Sequence, residues 1–294
     1  MSRTIVVGLD GSAESLAAAE WAASEALLTD AHLRVVHSWL WHPYVYAPLA
    51  GVTVLPPSED TQLEWAERLP HETADRLAAE HSGLSVGAER LAEQPATGLL
   101  AAAEGAELLV LGSRGLSGVR GFLVGSVALS VVARTRTPVV LVRAATRPAE
   151  EASRNDVVLG LDLEHPDAAV IGFAFEAAER RAVDLRVVHG WGLPPYYGFT
   201  GASDPSVNAD LLIEAQSRLT EVLRPWRDKF PEVDVPAQTV IGGAAPHLID
   251  ASREAGLVVV GRRNRSASVG AHIGPVTQAV LHHSTAPVAV VPHD

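Results

Sequence analysis

Cysteine is absent from the chain. That excludes thiol nucleophiles, disulfides and every metal site built on thiolates. Lysine is almost absent as well: Lys229 is the only one, and the other strongly basic residues are arginines. A Walker-type phosphate loop needs a lysine behind its glycines to reach the β- and γ-phosphates. Any nucleotide chemistry here must run without one. Uncharged apolar runs are short, and none approaches the ~18 residues that cross a bilayer. The start of the chain shows no charged-then-apolar leader, because Thr4–Leu9 is already strand-like. Positive charge is in deficit, with a formal net charge of −12, which argues against a nucleic-acid backbone as the main partner. The expectation is a soluble, cytoplasmic protein that engages neither membrane nor nucleic acid.

What the chain does contain is a repetition. Its 294 residues exceed the roughly 100–200 of a typical single domain. Leu33-Arg34-Val35-Val36-His37-Ser38-Trp39 returns as Leu185-Arg186-Val187-Val188-His189-Gly190-Trp191, and Val6-Val7-Gly8-Leu9-Asp10 returns as Val158-Leu159-Gly160-Leu161-Asp162. Further on, Leu109-Val110-Leu111-Gly112 matches Val258-Val259-Val260-Gly261, and Thr137-Pro138-Val139 matches Ala286-Pro287-Val288. Four matched segments in one order point to a duplication. Residues 144–154, rich in charge and small side chains around Pro148, read as the linker. The two copies are set at 1–145 and 155–294.

Each copy alternates strand-like and helix-like segments. Thr4–Leu9 is a β-branched apolar run of the kind buried on both faces. Ser12 offers an N-cap oxygen, and Ala17, Ala18, Trp21, Ala22 and Ala26 form an apolar helical stripe. Strands follow at Leu33–His37, near Leu84–Leu91, at Leu108–Leu111 and at Pro138–Val142. Helices are expected over 59–80, from about Ala96, and over Ser126–Arg134. Strands separated by helices imply a parallel sheet with right-handed crossovers.

The informative segment is Gly112-Ser113-Arg114-Gly115, followed by Gly125-Ser126-Val127. The first glycines follow a buried strand and the second pair opens a helix. Backbone N–H groups at a helix start are unpaired and carry the positive end of the helix dipole. Glycines let phosphate oxygens approach that backbone. Between Gly112 and Gly125 stand Arg114 and Arg120 and no acid, in an otherwise acidic chain.

Gly-x2-Gly-x9-Gly-Ser after the fourth strand, with Gly8-Leu9-Asp10-Gly11-Ser12 after the first, resembles universal stress proteins of the ATP-binding kind. The resemblance covers both halves. It implies an α/β fold of two tandem copies, each an open five-stranded parallel sheet in order 3-2-1-4-5 with helices on both faces. It places Asp10 by the adenosine of a bound ATP and Gly8 in the same nucleotide site, where tight strand-to-helix turning is its alternative role. Gly112, Ser113, Arg114, Gly115, Gly125, Ser126 and Val127 then hold the phosphates, with Mg²⁺. Gly160, Asp162, Gly261, Arg262, Arg263, Gly274 and Val276 are the counterparts in the second copy. The resemblance also implies pairing of the last strands, within one chain or between two, which makes a homodimer or an intrachain pseudo-dimer. The function it implies is an ATP-binding regulator in a stress response, acting on a protein partner that the sequence does not name. Slow ATP hydrolysis or phosphotransfer on the same fold, and a nucleotide-free scaffold, are the alternative readings.

The second copy departs from the pattern. Asn264 stands where the first has Gly115, and Gly274-Pro275 where it has Gly125-Ser126. Proline removes an N–H donor and the hydroxyl, while Arg262, Arg263 and Arg265 add positive charge. Unequal sites are therefore expected. His37 and His189 end their strands and read as core or rim histidines. His282 and His283, adjacent on one helix, face apart and make a poor metal pair. Segments 39–57 and 191–205 carry several aromatics and read as a cover for the ligand, as a partner surface or as packing on their own domain. A phospho-accepting receiver domain is excluded because neither half has both the acidic pair and the lysine. A dinucleotide fingerprint is excluded because Gly8-Leu9-Asp10-Gly11 lacks its glycine spacing.

Overall fold

The computed structural model describes residues 3–40, 59–114, 124–144, 155–191, 205–264 and 273–294. The first half contains β1 (Thr4–Leu9), α1 (Ala13–Thr29), β2 (His32–Ser38), α2 (Glu59–Glu80), β3 (Val86–Leu91), α3 (Pro95–Ala103), β4 (Leu108–Gly112), α4 (Ser126–Arg134) and β5 (Val139–Val142). The second contains β6 (Val157–Gly160), α5 (Ala168–Arg181), β7 (Leu185–Trp191), α6 (Pro205–Lys229), β8 (Ala237–Ile241), α7 (Ala244–Ala251), β9 (Leu257–Arg263), α8 (Pro275–His283) and β10 (Val288–His293). No helix among the described residues is long and apolar enough to cross a membrane.

Each half carries the expected strand order, β3-β2-β1-β4-β5 and β8-β7-β6-β9-β10, with parallel pairing throughout. The two sheets do not end separately. β5 pairs antiparallel with β10, setting Val290 opposite Val139 and Val288 opposite Leu141, so one ten-stranded sheet runs through both halves. A short apolar edge strand exposes unpaired backbone groups and invites association. Here each last strand covers the other within one chain, as one of the two pairings expected from the sequence.

Burial follows the residue pattern. Ile5, Val6 and Val7 are buried on alternate faces of β1, and two cores form, one on each side of the sheet. On one side lie α1, α2, α5 and α6, and on the other α3, α4, α7 and α8. Helix α1 reaches the sheet through small side chains: Ala18, Ala19, Ala22, Ala23 and Ala26 are fully enclosed. Ser12 caps its start, its Oγ accepting from Ser15 N at 3.1 Å, and Asp30 ends it in the left-handed conformation. In the second half aromatic rings do part of this filling. Phe175 packs on Trp226 and Phe230, and the lone lysine, Lys229, sets its ammonium 4.8 Å from the Phe230 ring.

Further links cross between the halves. Glu25 of α1, buried, pairs with Arg181 and Arg180 of α5, and the Arg181 guanidinium also lies over the Trp21 ring. Arg143, just past β5, donates to the carbonyls of Leu281 and His282 at the end of α8, at 2.9 and 2.6 Å. Arg262 of β9 donates in turn to the carbonyls of Ala133 and Thr135 at the end of α4. The last carbonyls of a helix have no partner of their own and carry its negative dipole end. Each half thus caps a helix of the other with a guanidinium.

Candidate functional site

In an open parallel sheet the crevice lies where neighbouring strands send their helices to opposite faces. β1 and β4 are such neighbours, and α1 and α4 leave to opposite sides. The turn after β1 is held tightly. Gly11 has φ of 82°, which only glycine adopts readily, and Asp10 accepts from Ser12 N at 3.0 Å. Asp10 is thereby fixed at the strand tip, half-buried.

Gly112 ends β4 against the first turn of α1. A Cβ there would lie 2.8 Å from Glu14 C and Ser15 N. Only glycine permits that approach. Ser12 Oγ donates to Arg114 O at 3.4 Å, tying the turn after β1 to the loop after β4. Ser113 N donates to Val142 O, and Gly125 N to Ser113 O at 2.8 Å, which brings the start of α4 back to the crevice. Gly125 provides no side-chain cap for α4, so the first N–H groups, those of Ser126 and Val127, receive no side-chain acceptor among the described residues. Ser113 Oγ is buried without a hydrogen-bond partner among the described residues. Gly115 and Arg120 lie outside the described residues.

The charges around this crevice are mixed. Arg114 lies 3.4 Å from Glu14. Arg143 has its pKa lowered, chiefly by burial and then by Arg114, with Glu14 acting the other way. Sequence reading missed Arg143, although it follows directly on the apolar run of the last strand. It also missed His282, whose Nδ1 accepts from Val124 N at 3.3 Å, just before Gly125. A residue of the second half thus touches the glycine loop of the first.

The second crevice is an open cleft of about 580 Å³. Gly160, Asp162, Gly261, Arg263, Gly274 and Val276 are all brought to its walls. Its construction differs from the first in three ways. β9 continues through Gly261, Arg262 and Arg263, pairing with Val291, Pro292 and His293, where β4 stops at Gly112. Leu163-Glu164 replaces Gly11-Ser12, and α5 begins later, capped by Asp167, which accepts from Ala169 N at 2.8 Å. The gap this leaves beside Gly261 is taken by the His293 ring, whose Nδ1 is 3.8 Å from Asp167.

The expectation for the arginines of this loop needs correction. Arg262 lines the cleft, but its guanidinium is buried in the contact with α4, and it also donates to Asn264 Oδ1 at 2.8 Å. It adds no free cation to the cleft. The cause is the extension of β9: alternate residues of a strand face opposite ways, so Arg262 and Arg263 part. Asn264, expected to stand in for Gly115 in a turn, is tied to Arg262 and to Asp294. Asp162, Glu164 and His165 bring ligand atoms within 4.8 Å of one another, all exposed. Asp162 Oδ1 accepts from Glu164 N at 2.9 Å, and His165 lies 3.4 Å from the Asp162 carboxylate.

The family model described as the universal stress protein family matches residues 1–143 and again 154–292. A universal stress protein of Mycolicibacterium smegmatis is 34% identical over 297 residues, covering 98% of this chain and 96% of that one. The chain belongs to the universal stress protein family. A further universal stress protein, from Mycobacterium tuberculosis, is 33% identical over 298 residues, covering 97% of this chain and 96% of its own. Among solved structures, a universal stress protein from Archaeoglobus fulgidus aligns over the whole of both chains with a TM-score of 0.70 and 18% identity. At that identity the likeness concerns the fold, and it agrees with two tandem universal stress protein domains.

Proposed function

We propose that this universal stress protein is an ATP-binding regulatory protein whose main site is the first crevice. The observation that carries the reading is the start of α4. A helix that opens on Gly125 with no side-chain cap, at the mouth of the crevice, presents N–H groups to an anion. Gly112 and Ser113 bring β4 to the same point, and the orphaned Ser113 hydroxyl is a donor suited to a phosphate oxygen. Arg114 supplies positive charge at the loop. Asp10, with Gly8 behind it, marks the adenosine end. The bound nucleotide supplies negative charge and a base. The chain supplies fixed donors and a shaped cleft.

The domain limits that go with this reading are 1–145 and 155–294. The second crevice is the weaker site. Pro275 removes a donor at the start of α8, and Arg262 is spent on the contact between halves. Asp162, Glu164 and Asp167 face the arginine Arg263 there, a poor setting for a triphosphate. Purified full-length protein, denatured and analysed by mass spectrometry, tests the reading. Release of an adenine nucleotide, or tight rebinding of ATP by the refolded or stripped chain, is expected. A chain that neither carries nor binds an adenine nucleotide refutes it.

A further inference from the structure

His37, next to last in β2, lies directly beside Leu9, the residue before Asp10. Its Nδ1 lies 2.7 Å from the Leu9 carbonyl oxygen. A carbonyl oxygen only accepts, so Nδ1 carries the hydrogen. In the neutral ring Nε2 is then left with a lone pair and no hydrogen. That nitrogen is buried and has no hydrogen-bond partner among the described residues. The second half repeats the arrangement. His189 Nδ1 lies 2.9 Å from Leu161 O, and His189 there lines the open cleft. Two copies of one fixed tautomer, at the same place in each crevice, argue against an accident of packing.

A buried acceptor without a donor is costly, and ligand binding is one way to satisfy it. We infer that His37 is a specificity-determining residue of the first crevice, its Nε2 accepting a hydrogen bond from the 6-amino group of a purine. The inference rests on the nucleotide reading above and adds the basis of base selection to it. A 6-oxo purine presents an oxygen lone pair to the nitrogen lone pair and is rejected. Burial lowers the pKa of His37, with nearby Arg90 acting in the same direction and Asp10 and the Leu9 carbonyl against it, so the ring stays neutral at pH 7. The Trp65 indole meets the imidazole edge-on at 5.3 Å and also passes over Gly11. Trp65, on α2, is itself exposed at the surface.

The test is calorimetric titration of the stripped full-length chain with ATP, ITP and N6,N6-dimethyl-ATP. The wild type should prefer ATP over both analogues by roughly tenfold to a hundredfold, the range expected for one buried hydrogen bond made or left unmade. His37→Asn keeps a donor for the Leu9 carbonyl but has no atom at the Nε2 position. It should lose most of the ATP affinity and bring the three ligands within about threefold of one another, with an unchanged circular dichroism spectrum. Equal affinities in the wild type overturn the inference without touching ATP binding, and that comparison needs no variant. A folded His37→Asn chain that keeps the wild-type ratios overturns it as well. Binding of none of the three overturns the nucleotide reading and this inference with it.

Discussion

Gly112 was legible in the sequence as a glycine after a buried strand, but its physical reason was not the expected one. The glycine was read as room for a phosphate. In the structure its missing side chain first makes room for the α1 backbone, 2.8 Å from where a Cβ would stand. Its φ is not in the left-handed region, so the constraint is steric rather than conformational. Gly112→Ala should therefore destabilise the chain by about 1–3 kcal/mol, the usual cost of overpacking, read as a lower urea midpoint at unchanged slope. A neutral Gly112→Ala would mean that α1 and β4 part without cost. Arg262 shows the opposite case. The carbonyls it caps lie 127 and 129 residues away, and no local pattern reports so distant a contact. His37 stands between the two. One ring nitrogen is satisfied, and the other has no partner among the described residues.

The elements themselves were largely written in the sequence. The central strands β1, β4, β5 and β6 are each a short apolar run, and burial on both faces keeps that signal clean. The weaker third strand starts at Val86 rather than Leu84, because all its residues are only half-buried and its period is faint. The extension of β9 could not be read, since Arg262-Arg263 looks like the start of a loop. Between elements, the seam of α1 and α2 carries a charge cluster. Glu20 pairs with Arg76 and lies 3.1 Å from His81 Nε2. Burial alone would raise its pKa, but the hydrogen bonds and charges of His81 and Arg76 together bring it below its ordinary 4.5. A carboxylate whose folded pKa is depressed stabilises the fold above its unfolded value, and that contribution is lost as pH falls through the folded one. Glu20→Gln should therefore be less stable than the wild type near pH 7, and the gap should close below about pH 4.5 in urea melts run from pH 7 to pH 3. A gap that stays constant with pH would show that the cluster holds α1 and α2 by shape alone.

At the scale of the whole molecule, the duplication explains why the β5 and β10 edges are not exposed, and the pairing of these two strands makes the two halves one body. The contact between halves is built next to the crevices. α4 starts at the first glycine loop and is capped at its far end by Arg262, and α8 is capped by Arg143. His282 reaches the residue before Gly125. A duplicated chain leaves each copy free to diverge, and the second crevice has lost the glycine-serine turn and a helix-start donor while gaining carboxylates. The central claim is that one crevice, the first, holds a triphosphate on the open start of α4. Ser126→Asp tests it with little risk to the fold, because an acidic side chain at a helix start favours the helix and repels a phosphate at the same place. Calorimetric titration of the stripped full-length chain with MgATP should show one tight site per chain. In Ser126→Asp that site should weaken by about one to two decades without loss of thermal stability. Unchanged ATP affinity in the variant, or two equally tight sites in the wild type, would contradict the account.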